Sequence, residues 1–334
     1  MKRRLLEILS SPCCGCELAL SAKSEEREEI LDGALVCARC GHSYPIRAGV
    51  PRLLEEPRQA GVKRTQESFA WEWNRYPGAL PEDRALFLEE TQIAPEAFKG
   101  KLVLDAGCGM GRYAKVALSL GAEVVAFDLS EACLRLAREA SGPNLHVVQG
   151  NLHKPPFKPG SFDVIYSQGV LHHTSDTHTA FLKVAALVKA GGLLSVWLYG
   201  MAGRFADFAT NPIRDDRKWI ERHRRAAWGI VALRHAISDG LRAVTTRLPM
   251  KLTYALCYPI TALGRVPLVK YFTFSVHPDF RVRLIENFDW LAPHYQYHHT
   301  KEELGAWFER AGFSVLKVLP HGLIPKPGVL GRKK

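Results

Sequence analysis

Three glycines and two carboxylates stand at the spacing of a nucleotide-binding site. Gly107, Gly109 and Gly111 form a G-x-G-x-G pattern, and Asp105 comes shortly before it. Asp128 follows about 20 residues after the first glycine, the distance at which a carboxylate can accept hydrogen bonds from ribose hydroxyls. The NAD-binding pattern G-x-G-x-x-G would need a glycine at position 112, where this chain has an arginine. The spacing therefore favours a nucleotide ligand other than NAD.

A strand and a helix must hold these glycines in place. Residues 102–104 form a short apolar run typical of a buried strand, and a helical apolar pattern begins at Tyr113. Residues 123–128 indicate a second strand that ends at Asp128. In this order of strand, glycine turn and helix, backbone N–H groups and a helix N-terminus can approach a nucleotide. The sequence therefore predicts an α/β fold organised around this turn.

At these residues the chain resembles the class I S-adenosylmethionine-dependent methyltransferases. The similar segments are LDAGCGMGR at 104–112, VVAFDLS at 124–130, the run at 147–173 and KAGGLLSVWLYG at 189–200. They occur in the order that the family has and together span residues 99–200. The resemblance implies a Rossmann-like seven-stranded sheet with helices on both faces, S-adenosylmethionine as the cofactor, and a methyltransferase activity.

The resemblance also assigns cofactor-binding residues. It implies that Asp105 orders the glycine turn, that Asp128 holds the ribose, and that Asn151 holds the adenine. The family usually has aspartate where Asn151 stands, and a neutral amide oxygen accepts a hydrogen bond without the assistance of a charge. The complete set implied for the cofactor is Asp105, Gly107, Gly109, Gly111, Asp128, Leu129, Asn151, Leu152 and Gln168.

Two adjacent histidines are candidates for a catalytic base. His172 and His173 follow the predicted fourth strand, 162–167, at the edge where open α/β sheets bind ligands. A neutral imidazole at this place can take a proton from an acceptor hydroxyl. His172 is the preferred candidate, and a packing role is the open alternative for both.

Residues 1–57 contain cysteines with the spacing of a zinc site. Two C-x2-C pairs occur, so the predicted metal ligands are Cys13, Cys16, Cys37 and Cys40. A unit of this size needs a metal or a partner to be stable. The sequence therefore predicts an N-terminal zinc ribbon.

This segment resembles the zinc-ribbon family that activates tRNA methyltransferases. The similarity is clearest from Cys37 to Leu54. At the first pair, the C-P-x-C of that family aligns with Ser11-Pro12-Cys13-Cys14, which places a serine at the first ligand position. The ligand set is therefore open between Cys13 with Cys16 and a set that includes Cys14, and a ribbon that has lost its metal is a further alternative.

Four further segments are predicted to follow the ribbon along the chain. Residues 58–98 form a helical lead-in over the site, and 99–200 form the cofactor-binding core. Residues 201–296 form a basic helical insertion, and 297–334 supply the closing helix and strands. The lead-in contains the aromatic residues Phe69, Trp71, Trp73 and Tyr76. They are expected either to line a substrate entrance or to pack in the core. The acceptor-site candidates in the loop before the closing helix, with a surface loop as the alternative, are Tyr295, Tyr297, His298 and His299.

The charge is concentrated in the C-terminal part of the chain. Residues 1–199 contain 23 Lys+Arg and 23 Asp+Glu, whereas residues 200–334 contain 22 and 11. This excess suggests an anionic partner, so the insertion is expected to lie on an anionic membrane surface, to cover a lipid-like acceptor, or to form a cap on the domain. No segment reaches the about 18 consecutive apolar residues of a membrane-spanning helix. Cysteines with metal-like spacing favour the reducing cytoplasm.

The predicted function is methyl transfer from S-adenosylmethionine to a small-molecule or lipid-like acceptor. One alternative is a methyltransferase of ribosomal or transfer RNA that contacts phosphates through its basic C-terminal part. Another is a non-catalytic protein that binds the cofactor or a partner.

Overall fold

The computed structural model describes residues 1–26, 28–55, 59–140, 142–201, 222–266, 269–275, 277–319 and 327–334. Its strands are β1 Leu18–Glu26, β2 Glu29–Cys37, β3 Ser43–Arg47, β4 Val50–Leu53, β5 Leu102–Ala106, β6 Glu123–Asp128, β7 Leu145–Gly150, β8 Phe162–Gln168, β9 Val188–Trp197, β10 Phe313–Val318 and β11 Gly328–Lys333. Its helices are α1 Ala60–Trp73, α2 Asp83–Thr91, α3 Arg112–Ser119, α4 Cys133–Glu139, α5 Thr177–Ala185, α6 Arg224–Thr245, α7 Met250–Leu263, α8 Phe280–Leu291 and α9 Lys301–Arg310.

Seven of the strands form the predicted Rossmann-like sheet. Their order is β7-β6-β5-β8-β9-β11-β10. The first five are parallel, and β11 is antiparallel to both of its neighbours. Strand β5 is buried along its whole length, as expected for a central strand covered by helices on both faces. The predicted fold class is therefore confirmed.

The N-terminal ribbon extends this sheet instead of standing apart from it. Strands β1 to β4 form an antiparallel ribbon, and β4 pairs in parallel with β7 through Arg52 with Gln149 and Leu53 with Gly150. The result is one eleven-stranded sheet, four strands wider than the seven predicted. Leu5 and Tyr44 of the ribbon share a hydrophobic core with Phe127 of β6. The predicted boundary at residue 57 lies outside the described residues.

The insertion is helical where it is described. Helices α6, α7 and α8 lie between β9 and the closing helix α9, and the part of the insertion at 202–221 lies outside the described residues. Among the helices that the structure describes, none is long and apolar enough to cross a membrane. The insertion packs on the core through a hydrophobic cluster that joins Trp197 of β9 to Phe288 of α8.

A buried arginine fixes the end of α8. Arg242 of α6 is 9% exposed, and its guanidinium donates to the carbonyls of Trp290 and Pro293, at 2.8 and 2.9 Å, and to Oε1 of Gln296. Hydrogen bonds from a charged donor are stronger than neutral ones. The chain from α8 to the closing helix is therefore held against α6, and this connection positions one wall of the site.

The closing unit forms as predicted. Thr300 caps α9 by accepting a hydrogen bond from the backbone N–H of Glu303 at 3.1 Å. The chain leaves the helix at Gly312, whose φ of +82° suits glycine, and enters β10. This unit places β11 beside β9 and completes the sheet.

Candidate active site

A cavity of about 300 Å³ lies at the carboxyl ends of the parallel strands. Helix α1 of the lead-in and helix α8 of the insertion contribute to its wall. The predicted cofactor residues that line it are Asp105, Gly107, Asp128, Leu129, Asn151, Leu152 and Gln168. A ligand at this place would lie where open α/β sheets bind nucleotides.

Side chains from other segments pack directly against the glycine turn. At Gly107, which has φ of +99°, an added Cβ would lie 2.4 Å from Cγ1 of Val170. At Gly109, which has φ of +53°, it would lie 2.8 Å from the ring of Trp73. Gly109 and Gly111 do not line the cavity themselves. They allow the turn to pass beneath Trp73 and Leu136, and this path brings Gly107 to the ligand.

Asp128 holds the glycine turn to the end of β6. Its Oδ2 accepts a hydrogen bond from the backbone N–H of Gly109 at 2.8 Å, and its Oδ1 accepts from the backbone N–H and the hydroxyl of Ser130, both at 2.7 Å. Burial raises the pKa of this carboxyl. A carboxylate offers about four lone-pair positions, so Asp128 can hold the turn and still accept from a ribose.

Asp105 is a buried acid at the end of β5. Its side chain is 4% exposed, and its Oδ2 has no hydrogen-bond partner among the described residues. Burial raises its pKa to about 8. A buried carboxyl with one unused oxygen beside the cavity favours a ligand that brings a hydrogen-bond donor or a positive charge.

Asp105 predicts a pH dependence of stability. The carboxyl ionises near its ordinary value in the unfolded chain but keeps its proton to about pH 8 when folded. The folded state therefore binds more protons between these values, and its stability falls as the pH rises, by up to about 1.4 kcal/mol per pH unit for one group. Replacing Asp105 by asparagine should make this fall less steep. Urea unfolding of both proteins from about pH 6 to pH 8 measures the slopes; equal slopes would refute the assignment.

Two of the residues implied for the cofactor make their own local bonds. Oδ1 of Asn151 accepts from the backbone N–H of His153 at 2.9 Å. The amide of Gln168 donates to the hydroxyl of Ser195 at 3.0 Å, and its Oε1 has no described hydrogen-bond partner. The amide oxygen of Gln168 is therefore the more available acceptor of the two.

The two histidines have different environments, and the preference for His172 is not supported. His172 does not line the cavity; it is buried and stacks on Tyr199, with ring centroids 4.0 Å apart. His173 lines the cavity, and its Nδ1 bonds to the carbonyl oxygen of Tyr295 at 2.9 Å. Since a carbonyl can only accept, Nδ1 carries the proton and Nε2 is left as an acceptor. Burial lowers the pKa of His173 to about 3, so the ring is neutral.

Among the acids of the cavity wall that sequence reasoning missed, two stand out by their aromatic neighbours in the sequence. Glu72 lies on α1 and Asp289 on α8. The hydroxyl of Tyr199 donates to Oδ2 of Asp289, whose Oδ1 lies 3.8 Å from Nε2 of His173. Each acid stands between two aromatic residues in the sequence, in WEW at 71–73 and FDW at 288–290. An acid inside an aromatic run was the available signal.

The aromatic candidates divide between the cavity and the core. Phe69, Trp73 and Tyr76 line the cavity, whereas Trp71 packs with Tyr254 and the insertion. Of the four candidates in the loop before α9, Tyr295 reaches the cavity. The three others, which do not line it, are Tyr297, His298 and His299.

The lead-in helix is tied to the turns that carry the cofactor residues. The amide of Gln66 donates to the carbonyl of Leu129 at 3.1 Å, and Arg135 of α4 donates to the carbonyl of Tyr76 at 2.9 Å. Arg112, the residue after the glycine turn, forms an ion pair with Asp83 of α2. These contacts keep α1 over the cavity.

A second cluster lies in the ribbon and changes the predicted ligand set. The sulfur atoms of Cys13, Cys14, Cys37 and Cys40 lie within 4.8 Å of one another. Cys16 does not belong to this group; its thiol points to the carbonyl of Cys14 at 3.8 Å. The reason is the turn at Gly15, which has φ of +72° and directs Cys16 away. The geometry therefore favours Cys14 over Cys16.

Both sites suit the groups that the sequence implies. Four thiols gathered in one place match the tetrahedral sulfur set that zinc prefers. At the cavity, the free Oδ2 of Asp105 and Oε1 of Gln168, with the buried Asp128, suit the ammonium and hydroxyl donors of S-adenosylmethionine. Gly107 lines the cavity itself, so a ligand there can lie close to the backbone of the turn.

Comparison with known families identifies two domains in the chain. Residues 104–196 match the family described as methyltransferase domain. Residues 2–49 match the family described as Trm112p-like protein. Both matches fall on the segments at which the sequence resembles a methyltransferase and an activator ribbon.

Individual relatives match shorter parts of the chain. An uncharacterized protein of Synechococcus sp. is 33% identical over 45% of this chain and 34% of its own length. A ubiquinone biosynthesis O-methyltransferase of Albidiferax ferrireducens is 39% identical over 28% of this chain and 39% of its own. The chain thus spans little more than a third of the length of these relatives. A solved S-adenosylmethionine-dependent methyltransferase from Listeria monocytogenes is 18% identical, with a TM-score of 0.43, over 75% of this chain and 99% of its own.

Proposed function

We propose that this chain transfers a methyl group from S-adenosylmethionine to a small molecule bound in the cavity beneath α1 and α8. The observation that supports this most is the shared cavity. The predicted cofactor residues at the strand ends and the neutral His173 line the same space of about 300 Å³. Donor and acceptor could therefore meet in one enclosure, and holding two reactants in line supplies much of the acceleration of a displacement reaction.

The donor half of the site would be held by the ends of β5 to β8. Asp128 would accept from the ribose and Asn151 with Leu152 would hold the adenine, while Asp105 and the amide oxygen of Gln168 would accept from the other donors of the cofactor. S-adenosylmethionine supplies an electrophilic methyl group when it is bound. Helices α1 and α8 exclude water, which strengthens the electrostatic interactions inside the cavity.

His173 would act as the base on the acceptor side. Its Nδ1 is engaged with Tyr295, and its buried Nε2 has no described hydrogen-bond partner. An acceptor that donates to Nε2 would therefore be oriented by the ring, which takes the proton as the nucleophile attacks. Asp289, 3.8 Å from Nε2, would stabilise the imidazolium that forms.

Replacing His173 by glutamine should slow methyl transfer without weakening cofactor binding. Loss of a general base typically costs about 10²- to 10⁴-fold in rate, and His173 is not among the predicted cofactor residues. The measurement is incorporation of radiolabelled methyl groups into a small-molecule extract. His294→Gln, which alters an exposed ring next to Tyr295 in the chain, serves as the control. An unchanged rate in His173→Gln would remove this residue from the mechanism.

A lipid-like acceptor is the second candidate, and the surface of α6 and α7 favours it. Large apolar residues are exposed along both helices, among them Leu233, Val244, Leu252 and Leu263 at 50, 58, 47 and 54%. Apolar helices with basic neighbours bind anionic membrane surfaces. Sedimentation with anionic liposomes would support this candidate, whereas a salt-sensitive shift of RNA would favour an RNA acceptor instead.

The cytoplasmic location stays a prediction. It depends on the reduced state that the cysteine thiols need in order to bind a metal, and the cytoplasm is a reducing compartment.

A further inference from the structure

The acceptor side of the cavity carries acids whose charges are poorly compensated. Glu72, Glu286 and Asp289 all line it. The charges of Arg112 and Arg242 act on Glu72 and Asp289, but their hydrogen bonds go elsewhere. Arg112 pairs with Asp83, and Arg242 donates to the carbonyls at the end of α8. A neutral or anionic acceptor would leave this imbalance in place or increase it.

Two buried acceptor atoms point to a missing donor. Oε2 of Glu72 has no hydrogen-bond partner in the described part of the chain, and Glu72 is only 4% exposed. Nε2 of His173 is also without a hydrogen-bond partner there, and that residue is 4% exposed as well. Buried polar atoms are seldom left unpaired in a finished site. A ligand with more than one N–H group could donate to both the ring and a carboxylate.

Burial and repulsion act on these acids together. Burial raises the pKa of Glu72 well above its usual range, and the negative charges of Asp289 and Glu286 raise it further. Burial raises the pKa of Asp289 to about 6. A positive charge bound between them would favour their ionised forms, because opposite charges attract strongly in a buried site.

Aromatic residues form part of the same cavity wall. Tyr199 and Trp290 stack with ring centroids 4.8 Å apart, and Phe69 meets the ring of His173 edge-on at 5.0 Å. All four residues line the cavity. His172 and Trp290 stack on Tyr199, and Phe274 stacks on Trp290, so these ring faces are occupied. The rings therefore keep water away from a bound ammonium group, and the carboxylates supply the charge that holds it.

We infer that the acceptor is a primary or secondary amine, bound as its ammonium ion by Glu72 and Asp289 against Tyr199 and Trp290. This inference rests on the proposed methyl transfer and names its substrate class. The ammonium gives one proton to Nε2 of His173, which leaves a lone pair on nitrogen. That pair forms the bond to the methyl carbon while the methyl–sulfur bond breaks and its electrons stay on sulfur. The product is a methylated ammonium ion and a neutral thioether.

Three probes with the same ring separate the possible classes of acceptor. Benzylamine is a cation, benzyl alcohol is neutral and benzoate is an anion at neutral pH. Each is titrated into the full chain saturated with S-adenosylhomocysteine. We expect benzylamine to bind at least about tenfold more tightly than benzyl alcohol, which is one order of magnitude in Kd, and benzoate to bind most weakly. Equal or tighter binding of benzyl alcohol would overturn the inference.

Two isosteric variants test the residues. Glu72→Gln and Asp289→Asn should each reduce the preference for benzylamine over benzyl alcohol to about twofold or less, with the affinity for benzyl alcohol nearly unchanged. Glu96→Gln, at an exposed position, is the matched control and should keep the preference. A preference that survives in both acid variants would refute the assignment of this wall.

The same titrations separate this inference from the proposed function. Binding of S-adenosylhomocysteine by each variant confirms that its fold and donor site are intact. Tight binding of S-adenosylhomocysteine with no preference for the amine would refute the amine and leave methyl transfer standing. Failure of the folded wild-type chain to bind S-adenosylhomocysteine would refute both.

Discussion

Replacing Asp128 by alanine is expected to weaken the binding of S-adenosylmethionine by about 100-fold or more, which corresponds to about 2.7 kcal/mol. Two losses add to give this effect. The ribose would lose a charged hydrogen-bond acceptor, and the backbone N–H of Gly109 and both donors of Ser130 would lose theirs. A buried donor left unpaired costs about 1–3 kcal/mol. The substitution therefore removes a ligand contact and loosens the turn that approaches the ligand.

Calorimetric titration with S-adenosylmethionine measures the effect of Asp128→Ala. Glu131→Ala is the control, because Glu131 lies in the same turn but is exposed and pairs with Arg52 alone among its described partners. The thermal transition of each protein shows whether it remains folded. Unchanged affinity in Asp128→Ala would mean that the ribose lies elsewhere, and no binding by the folded wild-type chain would refute the cofactor assignment.

Replacing Cys14 by serine should abolish zinc binding, whereas replacing Cys16 by serine should preserve it. The thiol of Cys14 lies 3.3 Å from that of Cys37 inside the four-sulfur group, and Cys16 lies outside that group. A structural zinc ion needs all four ligands for its full affinity. Because the metal also supplies folding free energy, we expect the midpoint of thermal unfolding to fall by about 5 °C or more in Cys14→Ser.

Metal content by atomic emission decides between the two ligand sets. We expect about one zinc ion per chain in the wild type and in Cys16→Ser, and almost none in Cys14→Ser. The two variants differ by two positions in one knuckle and remove the same atom, so each controls for the other. The reverse result would restore the C-x2-C set of Cys13 and Cys16, and a wild-type chain purified under reducing conditions without metal would identify a ribbon that has lost it.

The part of the candidate site at the ends of β5 and β6 could be predicted because its signals are local. Asp105, the glycine turn and Asp128 depend on a strand, a tight turn and a second strand that are close together in sequence, and their backbone geometry restricts which residues are possible. The two C-x2-C pairs were equally visible. The register that the geometry favours was not, because the choice between Cys14 and Cys16 depends on the direction of the turn at Gly15.

The part of the candidate site formed by α1 and α8 could not be predicted, because its residues come from distant segments. Glu72 and Asp289 are brought together by the packing of α1 and α8 over the strand ends, which no local pattern encodes. The sequence could not distinguish His172 from His173 for a related reason. Adjacent residues after a strand point in different directions, and only the position of Tyr199 and Tyr295 shows that His172 is covered and His173 is free to meet a ligand.

The pairing of β4 with β7 has a consequence for how the ribbon is supplied. A separate ribbon protein would have to find this edge by diffusion, and its occupancy would fall as the proteins were diluted. Here the connecting chain makes the encounter intramolecular, with an effective concentration in about the millimolar range for a short linker. The edge of β7 is therefore covered at every protein concentration, and a free ribbon added in trans would find that edge already taken.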